Sequence, residues 1–174
     1  QSHSRDAPIP NAATATSGLP VSFAVGSGPA TISGGTNLSF LDRGMVSIVA
    51  SQAGNVNYTA APDVTNTFRV WGFLILTVQS PHGTTVPMPG VYTNLEDCVL
   101  TNQAALYDTQ GTTQYVCAGW VMTGNDPLCG SATNFTMTLT NNAALVWLWT
   151  TNFWVEPTAS VHGVVDVSSG WRTN

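Results

Sequence analysis

"NFTMTLTNN", residues 134–142, decides how this chain is read. Phe135, Met137 and Leu139 alternate with Thr136, Thr138 and Thr140. Successive side chains on a strand point to opposite faces, so this order puts the apolar groups on one side and the hydroxyls on the other. The Asn-Asn pair that follows is a turn signal. Almost nothing in the chain shows the 3.6-residue period of an amphipathic helix. The expectation is an all-β protein, mainly antiparallel.

Working outward, the pattern repeats. "TQYVCAGWVM", 113–122, reads as a strand with Tyr115, Cys117 and Gly119 on one face and Val116 and Trp120 on the other. "CVLTNQAAL", 98–106, is another strand. "FLILTV", 73–78, is apolar on both faces and therefore reads as a central strand. "ALVWLWTTNFWVE", 144–156, is a pair of strands or one bent strand. Further upstream lie "VSFAV", "NLSFL", "MVSIVAS" and "VTNTFRV", short strands with the spacing of a β-sandwich. "HGVVDVSSGW", 162–171, reads as one strand and a turn with nothing after it to pair with. An unpaired edge of this kind invites strand addition, so a homodimer through it is expected.

Composition bounds the function. Of 174 residues, 43% are apolar, enough for at least one sizeable core. Only 7% are charged, against about 25% in ordinary globular chains, and Thr, Asn, Ser and Gly fill the surface instead. There is no Lys, and the net charge is −5. No basic stripe can neutralise phosphates, which excludes a nucleic-acid partner. The longest apolar run, "FRVWGFLILTV", is too short for a bilayer span and contains Arg69, which argues against membrane insertion. The start, "QSHSRDAPIP", is polar and shows no secretory leader. The chain therefore reads as a processed protein or a piece of a longer repetitive one, extracellular or at a cell surface.

Two family resemblances follow from particular residues. Residues 19–70, through "VSF…SGPATISGG", "IVASQAGN", "NY", "AAP" and the closing "FRV", resemble bacterial immunoglobulin-like modules. In that reading Gly34-Gly35 make a hairpin turn, and Tyr58 and Pro62 peg a long loop against the sandwich. Residues 73–155, through "YVCAGW", "MTGN", "FTMTLTNNAALVWLW" and "NFWV", resemble a divergent internalin-B-type repeat, a small β-grasp-like module. The resemblances imply four segments: a linker or partial edge strand over 1–18, an immunoglobulin-like sandwich over 19–71, an internalin-B-type module over 72–156, and a truncated repeat over 157–174. They imply a spacer or adhesion segment of a bacterial surface protein, with neighbouring modules as partners and no cofactor.

The chemistry-bearing residues leave alternatives open. Of three Cys, Cys98 and Cys117 lie on expected strands flanking one excursion, and a disulfide between them would contribute about 3 kcal/mol. Cys117–Cys129 competes with it, and buried thiols are the remaining alternative. Ser80 and His82, with Asp97 or Asp108, could form a hydrolase site for an ester or a glycoside, although no G-x-S-x-G elbow is present. Trp147, Trp149 and Trp154 could form a stacking platform for a glycan, or fill a core. No metal site is expected. Asp126 and Asp166 are the residues to which a loop calcium would fall.

Overall fold

The structure, a computed structural model of the chain, describes residues 7–159, 161–165 and 167–173. Every regular element among them is a β-strand, so the protein is all-β, as the alternation requires. The chain divides into two compact units, Gln1–Gly72 and Phe73–Asn174.

The first unit holds two three-stranded antiparallel sheets. One has the order β1 (Ile9–Pro10), β4 (Asn37–Phe40), β3 (Ala30–Ser33), and the other β2 (Ser22–Ser27), β5 (Gly44–Gln52), β6 (Ala61–Val70). Gly34 and Gly35 make the turn between β3 and β4, where Ser33 faces Asn37. Both sheets feed one core: Ala30, Leu38 and Phe40 from the first, Val46, Ile48 and Val70 from the second. Phe40 and Phe68 meet edge to face, with centroids 5.9 Å apart. The strands of the first sheet are only two to four residues long. Much of β6 therefore has no opposing sheet, and Ala61–Thr67 are exposed on both faces. Tyr58, in the loop before β6, and Pro62, within the overhang, are both exposed, which corrects their reading as pegs. The loop is closed instead by its own backbone, through Asn55 and Tyr58.

The second unit is built on a seven-stranded sheet. Its main order is β11 (Tyr107–Gln110), β12 (Thr113–Thr123), β15 (Ala143–Val155), β7 (Phe73–Gln79), β9 (Gly90–Leu95); β13 (Cys129–Gly130) adds to β12 and β16 (Gly170–Thr173) to β15. A second sheet orders β14 (Asn134–Thr138), β10 (Val99–Ala104) and β8 (Thr85–Val86). Pairing is antiparallel except between β7 and β15, which run parallel with Ala143 opposite Leu76. Between the sheets lie Leu74, Leu76 and Val78, Met122 and Trp120, Leu145 and Trp147, Met137 and Leu139.

Three local expectations are corrected. β7 does sit inside the sheet, between β15 and β9, but only Leu74, Leu76 and Val78 are buried; Phe73 and Ile75 face outward and are exposed. On β12 the strict alternation breaks at a bulge between Cys117 and Gly119. The extra residue returns Trp120 to the same inner side as Cys117. Gly119 permits this with φ 116°, where a Cβ would run into the carbonyl of Gly130. At the tail, residues 161–165 and 167 form no strand. The strand lies later, at Gly170–Thr173, and it pairs with the end of β15, Trp154 opposite Trp171. The strand expected over 162–167 is therefore not found among its described residues, 162–165 and 167. His3, Asp6 and Asp166 lie outside the described residues.

Candidate functional site

The candidate site gathers where the loop after β7 meets β11, β12 and β15. Tyr115 on β12 and Asp108 on β11 are direct cross-strand partners, so their side chains share a face. Trp149 on β15 reaches the same neighbourhood, paired through Cys117. His82 stacks flat on Tyr115, with ring centroids 3.4 Å apart and planes 9° off parallel, and presents an edge contact to Trp149 at 6.2 Å.

The polar groups hold the loop in place. Trp149 Nε1 donates to Ser80 Oγ at 3.0 Å, and Ser80 Oγ donates in turn to the His82 carbonyl at 2.6 Å. Asp108 Oδ2 accepts from the Gly83 N–H at 2.9 Å and from Gln110 Nε2 at 3.2 Å, and lies 3.9 Å from His82 Nδ1. Gly83, at φ 64°, lets the backbone lie against the Trp149 ring, where a Cβ would collide. Each bond fixes one more residue of the loop 80–83.

This geometry decides what the constellation can do. His82 and Asp108 are brought together, as a triad requires, but the hydroxyl is not aimed at the imidazole. Ser80 accepts from an indole and donates to a carbonyl, so no proton passes from it to His82. Asp97 is elsewhere. Leu95 pairs with Phe73 at one end of β7, whereas His82 follows Gln79 at the other, a span of roughly 20 Å at about 3.3 Å per residue. Asp97 is held instead by its N–H to the Leu139 carbonyl.

The other sequence-predicted residues separate as well. Trp147 is 1% exposed and belongs to the core, so it is no platform. Trp149 is spent on the loop. Trp154 is 39% exposed and meets Trp171 edge to face at 5.4 Å. Cys98, Cys117 and Cys129 are free thiols, which corrects the Cys98–Cys117 disulfide. Cys98 and Cys117 act as small apolar fillers of the same core, and Cys117 Sγ points to the Gly119 carbonyl at 3.8 Å. Asp126 is exposed, and no group of three or more His, Cys, Asp or Glu could hold a metal among the described residues.

Sequence reasoning missed Asn125, which stands there only within the quoted "MTGN". It is buried, and its carboxamide ties two loops. Nδ2 donates to the carbonyls of Asp126 and Thr138; Oδ1 accepts from Thr140 N–H, Thr140 Oγ1 and Asn141 N–H. It also missed Trp171, whose partner is 17 positions away and set only by the β15–β16 register. No family model, curated protein or solved structure matches the chain.

Proposed function

We propose that the chain is a non-enzymatic spacer and adhesion segment of a bacterial extracellular protein: an immunoglobulin-like module followed by an internalin-B-type, β-grasp-like one. What carries this reading is the use of Ser80, His82, Asp108 and Trp149 to fasten a loop. The residues best suited to chemistry are spent on architecture. Two units with separate cores in one chain fit a part that sets distance and presents surface. A low-charge, hydroxyl-rich exterior fits contact made through shape and apolar area. Incubating the purified chain with chromogenic esters and glycosides should give no turnover. Turnover that vanishes in both His82→Ala and Asp108→Ala sinks the proposal.

A second reading, glycan binding, has its own observation in the exposed Trp154 beside Trp171. An indole face open to solvent can stack on a sugar ring. Titration with neutral oligosaccharides should then quench tryptophan fluorescence in the wild type and not in Trp154→Ala. Equal quenching in both removes this site.

A further inference from the structure

At one end of the seven-stranded sheet, β11, β12, the second half of β15 and β16 run side by side. Residues directly opposite each other share a face, so register shows which side chains lie together. Tyr107 on β11 faces Val116 on β12, which faces Thr150 on β15. Two residues along, Thr109 faces Gln114, which faces Asn152. Two further, Trp154 faces Trp171 on β16. Alternation puts these rows on one face, and it is the outer one, since the buried Cys117 and Trp147 belong to the other. Tyr107 is 55% exposed there and Trp154 39%. The charged residues of these strands, Asp108 and Arg172, face Tyr115 and Phe153 and so lie on the opposite side of the sheet.

The rows form a diagonal. Tyr107 and Trp154 are two strands apart and four residues apart along the sheet, roughly 16 Å at about 4.8 Å per strand and 3.3 Å per residue. Gln114 stands at the middle of that line, and Trp171 continues it past Trp154. Trp154 and Trp171 hold each other in their edge-to-face contact, and Gln114 Nε2 is held by Thr109 Oγ1 at 3.3 Å. The strip is therefore set before anything binds, which lowers the entropy cost of binding.

We infer that this strip binds an extended, uncharged polysaccharide whose rings lie along the line from Tyr107 through Gln114 to Trp154. The inference rests on the glycan reading above and gives that ligand its length and charge. A pyranose ring offers an apolar C–H face, which stacks on an aromatic, and hydroxyls, which both donate and accept at an amide. The strip supplies these two chemistries in alternation. A protein partner would have to match the amides of Gln114 and Asn152 end by end or leave them buried unpaired, whereas a hydroxyl satisfies either end. The absence of charge on the strip, with a net −5 on the chain, selects against an acidic polymer. A single ring stacked on Trp154 leaves Tyr107 out of reach. Several linked rings span both, and linkage makes the second contact intramolecular.

Isothermal titration calorimetry of the full chain with neutral β-linked glucan, xylan and mannan oligosaccharides, of two rings and of six, tests this. At least one six-ring sugar should bind about tenfold or more tighter than its two-ring counterpart, and a six-ring oligogalacturonate should not bind. Tyr107→Ala and Trp154→Ala should each weaken the six-ring sugar about fivefold or more. Phe73→Ala, exposed on β7 at the opposite end of the sheet, should leave it unchanged. Thermal midpoints check that the variants fold; Tyr107, exposed on the edge strand β11, decides the matter if Trp154→Ala disturbs Trp171. No binding of any six-ring sugar at about 5 mM overturns the inference, and so does binding that Phe73→Ala abolishes and Tyr107→Ala does not. Binding that is indifferent to ring number and is lost in Trp154→Ala alone also overturns it, and leaves the glycan reading standing.

Discussion

The two units use the same alternation and reach different burial. In the first, the opposing sheet is made of strands two to four residues long, and six apolar side chains are buried, none larger than Phe40. In the second, strands of up to 13 residues meet a second sheet, and the core takes in Trp120 and Trp147, with Phe135 stacked on Trp120 at 3.7 Å. A strand buries its apolar face only as far as its opposite number extends. β6 shows the consequence: its alternating Val64 and Phe68 begin in solvent and end in the core.

The sharpest way to break this comparison is to empty the larger core. Trp147→Ala removes a fully buried indole, and substitutions of that kind cost about 3–5 kcal/mol. Val46→Ala, at an equally buried site of the first unit, removes two methyl-sized groups and should cost about 2 kcal/mol. With separate cores, thermal unfolding followed by calorimetry should show two transitions, each variant lowering one of them. A single transition shifted by both variants would mean that the two cores are one cooperative system.

Next in size is the loop clamp of the second unit, built on the buried Asn125. Asn125→Ala leaves the N–H groups of Thr140 and Asn141 and the Thr138 carbonyl without their partner. Orphaned groups in a buried setting cost about 1–3 kcal/mol each, partly recovered by water, so a loss of about 2–3 kcal/mol is expected. Chemical denaturation monitored by tryptophan fluorescence measures it. Asn125→Asp keeps the acceptor bonds and loses the donor ones, so it should fall between wild type and Asn125→Ala. A loss below about 0.5 kcal/mol for the alanine variant would show that the loops hold without the clamp.

How much of this was legible in the sequence follows from the range of each signal. Alternation is local, and it located the strand at Asn134–Thr138 with Phe135 and Met137 inward and a strand within 144–156, where it left open which face is buried. It misled at Trp120, because a bulge depends on what Gly119 lies against, and that is the Gly130 backbone on another strand. It misled at Phe73 and Ile75, because an apolar residue does not declare whether a second sheet will cover it. The cysteines were read from their number and spacing, and neither reveals whether two thiols meet. At the candidate site the residue types His82, Asp108 and Ser80 were visible, and the first two do converge. What Ser80 does with its hydroxyl was not, since its partner Trp149 lies 69 positions away.

The smallest expected effect concerns Asn102, and its sign is the informative part. It sits on β10 between Leu100 and Ala104, opposite Phe135, and is completely buried. Neither end of its carboxamide has a hydrogen-bond partner, nor do the indole N–H groups of Trp120 and Trp147. A buried amide without partners costs about 1–3 kcal/mol relative to a satisfied one, whereas an apolar side chain of similar size has no such penalty. Asn102→Leu should therefore raise the stability of the second unit by about 1–2 kcal/mol, read as a higher denaturant midpoint with an unchanged slope. A branched side chain against Phe135 needs little rearrangement, so overpacking should not mask the gain. A fall in stability would instead mean that the carboxamide is satisfied in solution, by enclosed water shared with the two indoles. The better-filled core would then owe part of its strength to a polar centre.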